Sequence, residues 1–560
     1  MNSRSQEREN ISEQQFDLCV IGGGATGSAC ALDNAQLRGI RTVLLEAGDF
    51  AGATSSAATK IVHGGVRYLE EAIKGADLQE YRVLVRALHE RVRMLENAPH
   101  LTRTLEFLVP SYHWIEVAYL DIGLKIYDWL AGPGRISPSK FLSREETLER
   151  MPELNAEGLV GSVAYADGQF DDARYNIALV QTFAVAGGNT LNYAKVTDFL
   201  RGANGKVSGV VVKDQLSEGR FSVKAKTIIN ATGPFSDSIR QLANPTLEKR
   251  MRPSKGSHIL LPREVFPTED ALLIPKTVDE RVVFAIPWGG RLLVGTTEEE
   301  VAPDAEALVT KADVAYLLLH INQYLEQPVT PNEIVSGFAG IRPLVGSTSD
   351  GDTKKPARDD VIEMDPTSGL ISIMGDKWTT HRAMAEDTIH QVQHALGVPQ
   401  TDSKTRNHVL YGSEDFTDDY WVRICRQYHV SEKTARHLAA KFGTAAGDVL
   451  ALGAEDPSLM QPILENGGAI RAEVVYSVRN EMACTIEDVL ARRLGMQFYS
   501  WYDAIEAAPL VGSVMAQELQ WDEPFMRESI TGYTGKLNHL IDSAGLSHER
   551  SQSSVSRAAD

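Results

Sequence analysis

Three glycines, Gly22, Gly24 and Gly27, stand in GxGxxG spacing between an apolar run, FDLCVI (16–21), and a helix-like run, SACALDNAQLRG. A second strand-like run, RTVLLE, ends on Glu46, 19 residues past Gly27. In a strand–turn–helix the first glycine permits the tight turn and the second lets backbone approach a pyrophosphate. The third lets helix and strand pack closely, and the helix N-terminus favours the anion. An acid at the end of the second strand accepts hydrogen bonds from a ribose, so Glu46 is the expected ribose partner. Neither Arg nor Lys follows Glu46 closely, which disfavours a 2′-phosphate. FAD and NAD stay open on this stretch alone. A distant segment, TIINATGP (227–234), reads as an apolar strand ending in Ala231, Thr232 and Gly233. It follows a hairpin pattern, VSGVVV and FSVKA, and resembles the ATG segment of glutathione-reductase-type FAD domains, where the chain returns to the dinucleotide. Together the two segments favour a flavoprotein.

The chain of 560 residues is too long for one core and predicts two or three domains. It carries 56 basic and 75 acidic side chains, a formal charge of −19, which argues against nucleic acid as a partner. An anionic substrate would require locally gathered positive charge. The four cysteines fall in no metal-ligand or CxxC spacing and suggest a reducing compartment. The N-terminus lacks a signal-peptide pattern, and no apolar run reaches the roughly 18 to 20 residues of a spanning helix. The expectation is a cytoplasmic protein, soluble or peripheral at the membrane.

Residues 54–69, TSSAATKIVHGGVRYL, combine small hydroxyl residues with Lys60, His63, Gly64, Gly65 and Arg67. The glycine pair would let backbone approach a flat ring, with His63 and Arg67 beside it. Taken in order, GGGATG, LLEAGDFAGATSSAATKIVHGGVRYLE, NAPHL, KGSHILLP, IPWGGRLLVGTTE, GIRPL and GDKWTTHRAMAED resemble the FAD-dependent glycerol-3-phosphate dehydrogenases. These flavoenzymes pass electrons to respiratory quinone. The match runs from about residue 16 to 395. It implies FAD contacts at Gly22, Gly24, Ala25, Thr26, Gly27, Glu46, Thr54, Ser55, Ser56, Lys60, His63, Gly64, Gly65, Ala231, Thr232, Gly233, Gly375, Lys377, Trp378 and Thr379. It implies a phosphate-bearing polyol held by Arg67, Tyr68, Lys255, His258, Arg342 and Lys377. Arginine suits that task as a planar fork and lysine as a point charge.

Hydride transfer from a secondary alcohol to flavin needs a base for the hydroxyl proton, and histidine titrates in the right range. His63 is preferred because the glycine pair implies ring proximity; His258 is the runner-up and a substrate ligand. Arg342 is the expected partner of a developing alkoxide. Two positions depart from the family pattern, Asp376 at a usual glycine and His381 at a usual tyrosine. Gly375 to Thr380 is expected at a helix start near the flavin.

The expected fold class is α/β: a glutathione-reductase-type FAD-binding domain, an antiparallel β-sheet substrate cap and a C-terminal helical domain. The FAD domain should be discontinuous (16–90, 150–245 and 335–398), the cap 91–149 and 246–334, and the helical domain 405–545. The tails 1–15 and 546–560 are expected to be disordered. Residues 115–132, IEVAYLDIGLKIYDWLAG, read equally as a surface dipping into a bilayer interface to meet quinone or as a buried core helix. A glycerol-3-phosphate oxidase using oxygen, an amine or amino-acid oxidase of similar architecture, and a non-catalytic flavin-binding module are the competing readings. The oligomeric state is open, a homodimer included.

Overall fold

The structure is a computed structural model that describes residues 4–35, 39–65, 78–275, 277–279, 281–346, 360–375, 377–465 and 467–548. Arg67, Tyr68 and Asp376 lie outside the described residues.

The strand Gln15–Ile21 sits in the middle of the first sheet because both its faces are apolar. Leu18 and Val20 pack into one core with Ala29, Ile177 and Ile389, from the helices Ala25–Ala35, Asp172–Val185 and His381–Leu396. Phe16, Cys19 and Ile21 pack into another with Val196, Val210 and Val212. A strand buried on both sides is the signature of a parallel sheet. Its neighbours, Thr42–Leu45 and Arg220–Asn230, both run parallel to it. Asn189–Leu191 and Ile371–Met374 extend the parallel set. The expected hairpin is present, Val207–Asp214 pairing antiparallel with Arg220–Asn230.

The second sheet contains Ser254–Pro262, Val283–Trp288 and Arg291–Gly295 in antiparallel register. Not every pair is antiparallel: Ala271–Ile274 runs parallel to Thr102–Ser111. Three strands expected in the cofactor domain belong here instead. Ile61–Val62 and Gly161–Phe170 pair with each other, and Ser336–Arg342 pairs with Ser254–Pro262. The two sheets are therefore threaded by the same segments, which the linear ranges did not capture. The first 15 residues are also more ordered than expected. Arg4–Glu13 is a helix with Ile11 buried, and Arg4 pairs with Asp214 at 2.9 Å. Most of the expected C-terminal tail (549–560) lies outside the described residues.

Beyond residue 408 the described chain is helical, from Tyr420–Tyr428 to Glu523–Ala544. Charge fixes it to the rest. Arg174 makes a two-pronged bond to Glu481 at 2.8 and 2.9 Å, Lys441 reaches Asp171 at 2.6 Å, and Asp49 receives both Arg492 and Arg493. Burial is the largest influence on the Asp49 carboxyl and pushes its pKa up, but the two guanidiniums outweigh it, and the result lies below the usual range.

Lys60 is corrected here. It was expected at the cofactor, yet its ammonium is fully buried, 2.5 Å from Asp172 and 2.7 Å from the Ser56 carbonyl, with φ of +64°. It lies 4.8 Å from the ring centres of Trp288, Phe338 and Phe498. Burial raises the Asp172 carboxyl to about 6, against the pull of Lys60. A carboxyl raised in the native state binds protons that the unfolded chain has released, so its stabilisation is lost as pH rises through 6. Lys60→Met removes the counter-charge and raises that carboxyl further. The variant should be only modestly weaker at pH 5 and lose about 3–5 kcal/mol at pH 8, measured by urea unfolding. An equal loss at both pH values would show that the pair does not carry the effect.

Candidate active site

The glycine loop makes a cradle in which backbone touches backbone. Gly22 has φ of +108°, and a β-carbon there would stand 2.5 Å from the Ala231 carbonyl oxygen. A β-carbon on Gly27 would fall on the Gly22 carbonyl. The strand, the turn and the ATG segment thus close on one another only because these positions lack side chains. At Gly24 a β-carbon would meet only the Ser55 side chain, so the backbone there is bare towards the cleft.

That cleft, of about 440 Å³, is lined by Gly22, Gly24, Ala25, Thr26, Glu46, Thr54, Ser55, Ala231, Thr232, Gly233, Gly375, Lys377 and Trp378. Glu46 stands at its wall, its carboxylate accepting from Gly23 N–H at 2.6 Å and Gly48 N–H at 2.8 Å. Burial raises its pKa, while the two amides oppose the rise. The amides orient the carboxylate and leave further lone pairs on each oxygen. Ala25 N–H donates to Ser55 Oγ at 2.9 Å, which draws the 54–56 turn against the start of helix Ala25–Ala35. Sequence reasoning missed further lining from Ala47, Lys195, Val196 and Phe235, apolar or single residues with no motif to mark them.

The turn 54–58 also grips the second sheet. Thr54 Oγ1 donates to the Ile341 carbonyl at 2.7 Å, and a β-carbon on Gly340 would stand 2.8 Å from the Ala57 carbonyl oxygen. On the far wall, Trp378 Nε1 donates to the Ser55 carbonyl at 3.0 Å, and Thr379 Oγ1 to the His63 carbonyl at 3.2 Å. The expected helix start is there: a single 3₁₀ turn, Trp378–Thr380, leads into His381–Leu396. His381 is buried edge-on to Tyr175 and Trp378, its Nδ1 2.8 Å from the Trp378 carbonyl, and burial drops its pKa to about 4. It supports Trp378 and does not face the cleft.

The KGSH and IRPL motifs meet as neighbouring strands, with Gly256 opposite Gly340 and His258 opposite Phe338. Alternation then sorts their side chains. On one face lie Gly256 and His258. The Arg342 guanidinium occupies the space where a β-carbon of Gly256 would be, within 2.6 Å of Nη1, and donates to Thr296 Oγ1 at 3.0 Å. His258 is buried, stacked on Phe338 at 4.7 Å, with Nε2 3.1 Å from Thr59 Oγ1. Burial, then Arg342 and Lys60, push its pKa far below the usual value, so the ring is neutral. Lys255 lies on the other face and is corrected. Its ammonium is held by Glu299 at 2.8 Å and Asp313 at 3.1 Å, away from Arg342. Gly256, Thr296 and Thr59 were missed. Gly256 was legible, since it lies two residues from His258 on the same strand face.

His63 is exposed, and its charge acts on the buried Asp167 carboxylate, which also receives Arg91 and Tyr127. The reason given for Gly64 fails. A β-carbon there would strike Leu88 and stand 2.6 Å from Tyr127 Oη, so the missing side chain makes room for helices, not for a flat ring. Gly64 N–H donates to that same Tyr127 hydroxyl at 2.9 Å. Gly65 holds a φ of +86°, a conformation glycine adopts without strain. Ser56 Oγ donates within its own turn, to the Ala53 carbonyl.

Comparison with known proteins gives the same cleft a family. Residues 17–390 match the model of the FAD dependent oxidoreductases, and residues 403–524 match the C-terminal domain of alpha-glycerophosphate oxidase. The mitochondrial glycerol-3-phosphate dehydrogenase of Bos taurus is 38% identical over 96% of this chain and 76% of its own length. The probable mitochondrial enzyme of Dictyostelium discoideum is 38% identical over 94% of this chain and 84% of its own. Among solved structures, the Bacillus halodurans glycerol-3-phosphate dehydrogenase complexed with FAD superposes with a TM-score of 0.77 at 30% identity. That match covers 98% of this chain and 99% of the other. The bare glycine cradle and the carboxylate at its wall fit the same cofactor, and the chain belongs to the FAD-dependent glycerol-3-phosphate dehydrogenases.

Proposed function

We propose that this chain oxidises sn-glycerol 3-phosphate to dihydroxyacetone phosphate and passes the electrons to a membrane quinone. The observation that carries the reading is the Arg342 guanidinium seated on Gly256 beside neutral His258, next to the cofactor cleft. A fork-shaped cation beside a neutral imidazole suits a phosphorylated alcohol. FAD supplies the hydride acceptor. Arg342 and Lys377 hold the anionic substrate, with Arg67 and Tyr68 from the HGGVRYL motif. Arg342 also stabilises negative charge developing on the alcohol oxygen. His258, neutral and fixed by Thr59, donates or accepts a hydrogen bond without taking the proton. His63 is the base. It is exposed enough to release a proton to water, and it stands near enough for its charge to act on the buried Asp167 carboxyl. The hydroxyl proton goes to His63 as the carbon gives up its hydride.

The quinone reading draws support from the helix Trp114–Ala131. It is not a core helix. Val117, Leu124 and Tyr127 are buried, yet Trp114, Ile115, Tyr119, Ile122 and Trp129 are exposed, Ile115 by 85% and Trp129 by 77%. Aromatic and aliphatic side chains on the outer face suit the boundary of a bilayer. No described helix is long and apolar enough to cross a membrane. The exposed face of this helix supports a peripheral seat at the inner face of the cell membrane, with the helix as the contact.

Glycerol 3-phosphate added without air should bleach the bound flavin, and plain glycerol should not. Arg342→Ala should lower kcat/KM by about ten- to hundredfold, the worth of one good charged contact. Bleaching by glycerol as readily as by its phosphate would remove the anion from the reading.

His63→Asn should slow anaerobic flavin reduction by about 10² to 10⁴, with the residual rate climbing as pH rises and the flavin spectrum native. His258→Asn should weaken substrate binding more than it slows saturated reduction. The reverse pattern moves the base to His258.

The double variant Trp114→Ser, Trp129→Ser should lose co-sedimentation with phospholipid vesicles while keeping flavin reduction by substrate. Undiminished binding to vesicles would take the helix out of the membrane contact.

A further inference from the structure

A second cavity, of about 450 Å³, opens where the second sheet meets the C-terminal helices. The Phe170 ring divides it from the cofactor cleft, lying 5.1 Å from Trp378 on one side and lining the cavity on the other. In a chain of charge −19 its lining is unexpectedly basic: Arg103, Arg263, Arg291 and Lys441 all reach it. Three carboxylates bear on the same space. Asp171 is taken by Lys441 at 2.6 Å, and Asp503 lies 3.3 Å from Arg291. Glu269 reaches Arg263 at 2.8 Å but is itself 87% exposed, where such a pair is weak.

Arg103 is the unusual member. Its hydrogen bonds go to neutral oxygens, Gln169 Oε1 at 2.7 Å and the Pro287 carbonyl at 3.1 Å. No carboxylate among the described residues forms an ion pair with it. Burial depresses its pKa; Glu269 opposes the fall, and Arg263 adds a smaller push downward. On Arg263, Nη1 is buried and has no hydrogen-bond partner. Two guanidiniums that repel each other across a cavity, one with no ion pair among the described residues and the other with an unpartnered Nη1, are in the position of a pair awaiting an oxyanion. Trp288 and Tyr499, 4.8 Å apart, wall the space, and Gly290 opens onto it with nothing within 4 Å of its β position.

We propose that this cavity is a second anion site, distinct from the cofactor cleft, which binds the phosphate group of a small phosphorylated metabolite between Arg103 and Arg263. A planar fork on each side gives a phosphate paired bonds, where a lone carboxylate would satisfy one fork only. The bound anion would tie the second sheet to the C-terminal helices beside Lys441.

The test is isothermal titration of holoenzyme with inorganic phosphate at constant ionic strength, with acetate as the comparison. Arg103→Gln and Arg263→Gln should each weaken one phosphate site by about ten- to hundredfold. Their flavin content and kcat/KM for glycerol 3-phosphate should not change. Gly290→Asp gives a variant that leaves both arginines in place. Its φ of +72° tolerates aspartate, and the added carboxylate should abolish the same site. Phosphate held by the active site stays in every variant, so the readout is one site fewer than in the unaltered protein. An unchanged number and affinity of phosphate sites, or equal binding of acetate, overturns the proposal.

Discussion

One ammonium holds the three parts of this protein in register. Lys60 comes from the turn that lines the cofactor cleft, and Asp172 from a helix of the first sheet's layer. Trp288 and Phe338 come from the second sheet, and Phe498 from the C-terminal helices. A buried cation costs several kcal/mol unless it is paired and surrounded by favourable groups, so these elements can close only together. That requirement explains why the 54–62 segment serves two masters. It presents Thr54 and Ser55 to the cleft, and it sends Lys60 inward as a bolt.

Strand alternation decides which charges share a face with His258. Lys255 and His258 are three positions apart, so they point to opposite faces, and Arg342 joins the histidine only because Gly256 leaves its place vacant. A β-carbon at 256 would push the guanidinium off the strand. Lys255 instead neutralises Asp313 at the start of the helix Lys311–Ile321, a structural task. The same chemical type thus has two fates within one short motif.

The helix Trp114–Ala131 links the molecular surface to the His63 turn. Its outer face is aromatic and exposed, while its inner Tyr127 accepts from Gly64 N–H and donates to Asp167. The helix therefore reaches Gly64, one residue from His63. The Asp167 carboxylate, held by Arg91 and Tyr127, is the fixed point between them.

Local backbone rules were legible in the sequence. Gly22 and Gly27 need no knowledge of the fold, since a turn between strand and helix admits no side chain at those places. The strands on either side of the glycine loop and the cap strands followed from apolar runs, and the ATG return from a resemblance to other FAD domains. Side-chain partners were not legible. Lys60 and Lys255 looked like anion ligands because a lysine in a motif carries no mark of direction, and Gly64 looked like a seat for a flat ring because a glycine carries no mark of what fills its vacancy. The sequence by itself determined the cofactor cradle, because it depends on steric rules that act within a few residues. Only the tertiary structure decided which charges stand beside His258, which are spent inside the protein, and that the helix Trp114–Ala131 has an exposed apolar face. Those outcomes rest on burial and on contacts between segments far apart in the chain, such as Lys60 with Asp172 and His258 with Thr59.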